Sequence, residues 1–218
     1  KREIINLINL INPNFIIHAA AKIGGIHYFH KNPYSIIRDN SLIDNIIINA
    51  ACSLKNLNKF VAISSSMVFE NSKNFPSTES SLKECITPSS SYGFSKLSLE
   101  YKIRSAHQQN NIKFCILRLF NAIGIGEDDF IKGEQSHVIP DLIVKCLQDQ
   151  ESLEILGNGS QIRHFTSAID IARAIRLVLE NDKIINDDFN ISTPVSTSIL
   201  ELAEKIWNKI NPNKKFSK

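Results

Sequence analysis

Tyr92 and Lys96 are separated by Gly93-Phe94-Ser95, so on a helix they share one face, one turn apart. A phenol beside an ammonium is a route to a proton acceptor. The free phenol ionises near pH ~10 and is a poor base at neutral pH. A fixed cation favours the phenolate, and lowering the pKa by about 3 units takes roughly 4 kcal/mol of differential stabilisation. The spacing alone equally fits a surface helix with a solvated lysine. A second feature adds to it: Ser64-Ser65-Ser66-Met67-Val68-Phe69 follows directly on the apolar run Phe60-Val61-Ala62-Ile63. That places hydroxyls at the carboxyl end of a buried strand, where open α/β sheets bind ligands. The bland alternative is a polar turn closing a strand. A hydroxyl delivered from a strand end to a tyrosine at a helix start can orient a substrate hydroxyl and share its proton.

The elements that must position these groups are legible along the chain. Phe15 to Ala20, Lys59 to Ser64 and Phe114 to Phe120 are short apolar runs that read as buried parallel strands. Leu153 to Leu156 and Phe189 to Ser192 read as two further strands. Pro33 opens a helical stretch to about Ala51, and Tyr92 to Gln109 reads as a helix ended by Asn110-Asn111. Helices are also expected over Val138 to Gln148, from an Asp170 cap to about Leu179, and over Ser198 to Ile210. Glu70 to Ser91, rich in Ser, Pro and Glu, reads as a long loop, and loops of that length inside a compact domain are often functional. Strands alternating with helices predict an α/β fold with a doubly wound parallel, Rossmann-like sheet.

Together these segments resemble the extended short-chain dehydrogenase/reductases, the NAD-dependent epimerase/dehydratase family. Ser64 to Phe69, Tyr-x-x-x-Lys on a helix and Arg118-Leu119-Phe120-Asn121 carry the likeness, with His18-Ala19-Ala20-Ala21 and the Asn32-Pro33 to Asn40 segment. The resemblance implies Ser65, Tyr92 and Lys96 as catalytic residues. It implies Ala19, Ala20, Ala21, Asn40, Ser64, Tyr92 and Lys96 around an NAD or NADP cofactor, with Asn40 helping to hold helix and strand around the site. Ser66, Asn121, His137 and Arg163 fall where the family meets its nucleotide-sugar substrate, UDP- or GDP-linked. Arg163 suits a diphosphate because its fork meets phosphate oxygens bidentately; without the resemblance it reads as a loop-edge ion pair.

The same resemblance narrows the reaction. Met67 stands where dehydratases and decarboxylases carry Glu and 3,5-epimerising members carry Cys, and Ser66 stands where dehydratases carry Asp. Neither can do a carboxylate's work, which leaves hydride chemistry at C4: epimerisation through a 4-keto sugar. A rival is a GDP-fucose synthase-like 3,5-epimerase/4-reductase, suggested by Gly24-Gly25 and by Ser136-His137-Val138-Ile139-Pro140, with His137 as an acid. The alternative for His137 is a polar helix-start residue near substrate. A third reading is a non-catalytic dimerising module, since Ser41 to Leu54 and Tyr92 to Gln109 correspond to the helix pair of the family's homodimer.

The family's opening strand and G-x-x-G-x-x-G turn, which cradles the pyrophosphate, have no counterpart in Lys1 to Asn14. That stretch resembles a late helix of the cofactor half, so an internal fragment is expected, inactive alone and weak for NAD. The expected division is 1–130 as cofactor domain and 131–218 as a small partial substrate subdomain, with 160–192 packing back. A net charge of +3 over 218 residues argues against nucleic acid, and no apolar run reaches membrane-spanning length. Cys52, Cys85, Cys115 and Cys146 show no disulfide or zinc spacing. All but Cys85 read as small core residues, and a reducing cytoplasm is expected. No metal is expected.

Overall fold

The computed structural model describes residues 2–126, 136–148 and 151–218; the expected boundary at 130/131 falls outside them. Four strands form one all-parallel sheet in the order β1-β2-β3-β7: β1 (Phe15–His18), β2 (Lys59–Ser65), β3 (Phe114–Leu119) and β7 (Asp187–Ile191). Register runs Phe15↔Lys59 for β1 and β2, Phe60↔Phe114 for β2 and β3, and Cys115↔Asp187 for β3 and β7. Each crossover is helical: α3 (Pro33–Ser53), α4 (Ser91–Asn110) and α6 (Ala168–Glu180). Two further helices, α1 (Arg2–Ile11) and α2 (Ile26–Lys31), flank β1.

Strand alternation explains why β2 and β3 read as continuous apolar runs. Phe60 and Ala62 of β2, with Phe114 and Ile116 of β3, face α3 and α4 through Ile48, Ala51, Leu99 and Ile103. Val61, Ile63, Cys115 and Leu117 face the other way, onto α6 through Val178. Helices on both faces keep β2 and β3 dry, whereas Phe15 and Ile17 on β1 stay exposed. A separate apolar cluster joins α5 (Val138–Leu147) to α7 (Ile199–Ile210) through Leu142, Cys146, Leu153, Ala203 and Trp207.

The structure departs from the sequence reading at several points. Leu153 to Leu156 forms no strand: Leu153 is fully buried between α5 and α7, and its N–H donates to the Ser217 carbonyl. Asp170 does not cap α6. Ser167 does, its Oγ accepting from the Ile169 N–H at 3.2 Å, while Asp170 in the first turn pairs with Arg173. The short α2 and the two-residue strands β4 (Ala122–Ile123), β5 (Ile162–Arg163), β6 (Thr166–Ser167) and β8 (Thr197–Ser198) carry no sequence signal. The long loop holds a 3₁₀ turn over Glu79–Glu84 and is tied to β7, where Glu79 accepts from the Asn190 N–H at 2.7 Å.

Candidate active site

Ser65 ends β2 and opens a 3₁₀ turn, Ser66–Phe69, its Oγ accepting from the Met67 N–H at 3.2 Å. Across from it Ser90 caps α4, accepting from Gly93, so Tyr92 lies in the first turn. Gly93 sets how close the two come. A Cβ there would lie 2.6 Å from the Met67 carbonyl oxygen and 2.9 Å from Pro88 Cβ, so only glycine lets α4 approach the strand tip this closely. The result sets the Ser65 hydroxyl close enough to the Tyr92 phenol to draw its pKa downward.

Lys96 follows one turn later, buried, its ammonium 5.9 Å from the centre of the Tyr92 ring. It donates to the Ile63 carbonyl at 2.9 Å and not to the phenol. Burial pushes the Lys96 ammonium down to about 8, with Asp44 pulling the other way. Burial also pushes the Tyr92 phenol up to about 12, against a smaller downward pull from Ser65. Burial, opposed only by the smaller pull of Ser65, thus holds the phenol above the acidified range expected from the spacing, while Lys96 is turned to a carbonyl.

The remaining candidates fall into two groups. Asn40 clips the turn after β1 to α4: its Oδ1 accepts from the Lys22 N–H at 2.6 Å, and its Nδ2 donates to the Lys22 carbonyl and to Ser95 Oγ. Ala19, Ala20 and Ala21 lie just beyond β1, the first two exposed, and Ser66 is half-buried beside Ser65. The Ser64 hydroxyl points away from this edge, donating to Glu100 at 2.7 Å, so any cofactor contact at Ser64 is through its backbone. Asn121, at positive φ (39°), donates to the His164 carbonyl, and its own carbonyl accepts from Thr166, joining β4 to β6. His137 is the N-cap residue of α5, and Arg163 is exposed on β5, opposite Thr197 of β8. Asn121 and Arg163 are bonded within this second region, to the His164 and Ile162 carbonyls.

Two buried polar systems escaped the sequence reading. Arg118 on β3 gives two hydrogen bonds to Glu100, at 2.8 and 2.7 Å, and a 2.6 Å ion pair, not an aligned hydrogen bond, to Asp188 on β7. His18 pairs with Asp44 at 2.9 Å, with Lys102 behind at 3.3 Å. Signals existed. Glu100 repeats the Tyr92–Lys96 spacing one turn further on, and a charge inside an apolar strand demands a partner. Among the described residues no group of His, Cys, Asp and Glu could hold a metal, and no helix is long and apolar enough to cross a membrane.

A doubly wound parallel sheet with a strand-tip serine against Tyr-x-x-x-Lys defines a class of nucleotide-cofactor enzymes of the Rossmann type. Residues 1–192 match the NAD dependent epimerase/dehydratase family, and the chain belongs to that family. It is 30% identical over 209 residues to a putative UDP-glucose 4-epimerase of Methanocaldococcus jannaschii, covering 96% of this chain and 65% of that protein. It is 27% identical over 177 residues to a GDP-L-fucose synthase of Dictyostelium discoideum, covering 78% and 54%. The UDP-glucuronic acid 4-epimerase of Bacillus cereus, solved with UDP-glucuronic acid and NAD, superimposes with a TM-score of 0.81 at 27% identity, covering 99% of this chain and 64% of that one. The chain thus spans between about half and two thirds of these proteins' length.

Proposed function

We propose that this chain forms the proton-transfer core of an NAD-dependent nucleotide-sugar 4-epimerase. The observation that carries the reading is the buried Tyr92 phenol beside the strand-tip Ser65 hydroxyl, with the buried Lys96 ammonium 5.9 Å from its ring. The relatives and the solved neighbour named for 4-epimerisation of UDP-sugars support it.

The residues fit a nicotinamide cofactor. Small alanines at 19–21 obstruct nothing at the end of β1, and Lys96 is a buried cation at the strand ends. Ala19 to Ala21 and the Ser64 backbone would border the cofactor, with Lys96 reaching its ribose. Bound there, it would accept and return the hydride of the sugar's C4. Tyr92 takes the proton of the sugar 4-hydroxyl as the hydride leaves, with Ser65 bridging the two oxygens. In this form the phenol, pushed up to about 12, keeps its own proton at neutral pH, so the bound state must bring a cation that favours the phenolate. Lys96 released from the Ile63 carbonyl can supply one. The 4-keto sugar then turns over and accepts the proton back from Tyr92. Asn121 and Arg163 hold the nucleotide diphosphate, Ser66 and His137 lie near the substrate, and α3 and α4, exposing Leu42 and Tyr101, provide a homodimer face.

No G-x-x-G-x-x-G turn occurs in the 218 residues, so weak NAD binding and no turnover are expected of this chain alone. In a longer chain carrying that turn, Tyr92→Phe should cut turnover about 10²- to 10⁴-fold while nucleotide-sugar binding stays unchanged. Full retained activity would refute the assignment. The second reading, a GDP-fucose synthase-like 3,5-epimerase/4-reductase, draws on the Dictyostelium relative and on His137. Titration with UDP- and GDP-sugars separates the two.

A further inference from the structure

The turn between β1 and α3 holds a residue that neither the motifs nor the proposed mechanism uses. Phe29 of α2 lies flat on the Tyr92 ring, with centroids 4.9 Å apart and planes 10° from parallel. Ser65 lies near its hydroxyl and Lys96 near its ring. Phe29 adds an apolar wall to these polar neighbours.

Its placement is fixed from both ends. On the N-terminal side Tyr28 packs on Gly24, where a Cβ would come within 2.7 Å of Tyr28 Cδ1. Lys22, three residues before Gly25, is clipped by Asn40 to Ser95, and the Ser95 hydroxyl donates to the Tyr92 carbonyl at 2.8 Å. On the C-terminal side Asn32 donates to the Tyr28 carbonyl through both its backbone and its side chain. The segment leading into α2 is thus tied by hydrogen bonds to the helical turn bearing Tyr92.

From this geometry we infer that Phe29 is the positioning residue for Tyr92: its ring fixes the plane of the phenol, aims the hydroxyl at Ser65 and excludes water from that face. The inference rests on the reading of Tyr92 as the proton-transfer residue for its importance, though not for its test. Aromatic stacking is worth about 0.5–1.5 kcal/mol beyond the area it buries, enough to select one ring orientation.

The test uses this chain labelled with ¹³C-tyrosine, whose four tyrosines are Tyr28, Tyr34, Tyr92 and Tyr101; Tyr92→Phe assigns the signal. At pH 10.5, with its phenol at about 12, Tyr92 should be about 3% ionised. In Phe29→Ala the ionised share should rise toward the roughly three quarters expected of a free phenol. Phe29→Tyr, which keeps a ring there, should restore the low value, and Phe29→Leu should fall between. A neutral-pH measurement checks the same point without alkali: a soluble spin label should broaden the Tyr92 ring signals in Phe29→Ala and spare them in the parent chain. Unchanged Tyr92 ionisation and unchanged broadening in a folded Phe29→Ala would overturn the proposal. Either result is independent of whether Tyr92→Phe abolishes turnover, which tests the reaction itself.

Discussion

The corner built by Ser65, Tyr92 and Lys96 and the region carrying Asn121, His137 and Arg163 are organised on opposite principles. Tyr92 and Lys96 are 6% and 5% exposed, and Ser65, whose hydroxyl accepts from the Met67 N–H, ends the longest strand of the sheet. Arg163 stands in water on a two-residue strand. Proton transfer needs groups fixed within a hydrogen bond of each other, and that requires a packed, dry frame. Gripping a diphosphate needs a charge with reach, and a solvated guanidinium keeps that reach at little desolvation cost.

Glu100 gives the largest expected contrast. Glu100→Ala leaves the buried Arg118 guanidinium with only its Asp188 ion pair, and removing one partner from a buried pair costs about 3–5 kcal/mol. Chemical denaturation should show that loss, and a loss near zero would mean the corner is not rigidly framed. Lys96 gives the next effect, with the opposite sign. Between about pH 8 and 10.5 the unfolded chain holds the Lys96 proton and the folded chain does not, so stability rises with pH through that window. Tyr92 acts the other way between about pH 10 and 12, where the folded chain holds the proton longer and stability falls. Lys96→Met should therefore flatten the rise above pH 8. It should also stabilise the chain at pH 7 by about 1–3 kcal/mol, since the buried charge is gone, less the donor lost to Ile63. Destabilisation at pH 7 would contradict the direction of the Lys96 shift. The smallest stability effect belongs to Arg163→Ala, which should leave the melting temperature where it is. The same variant should weaken nucleotide-sugar binding about tenfold or more, measured by calorimetry; unchanged binding would remove Arg163 from the substrate site.

How much the sequence disclosed follows the same division. The buried strands and the crossover helices were legible because burial on both faces writes long apolar runs and helical periodicity. Ser65, Tyr92 and Lys96 were legible as residue types at a spacing. Their electrostatics were not: the sequence suggested an acidified phenol, whereas burial sets its pKa, and burial belongs to the fold. The bond from Ser64 to Glu100 was hidden because it joins residues on different elements. Phe29 was hidden because a six-residue helix has too few turns for a periodic signal. The two-residue strands that follow Asn121 and carry Arg163 have none at all.

Titration of the ¹³C-tyrosine-labelled chain with UDP-glucose, and then with a panel of UDP- and GDP-sugars, bears most directly on the convergence of Ser65 and Tyr92 on a sugar hydroxyl. The signal of Tyr92 should shift with saturation while those of exposed Tyr34 and Tyr101 stay in place, and Ser65→Ala should reduce the shift. A nucleotide sugar that binds and leaves Tyr92 unmoved, or a panel in which none reaches it, would contradict the assignment.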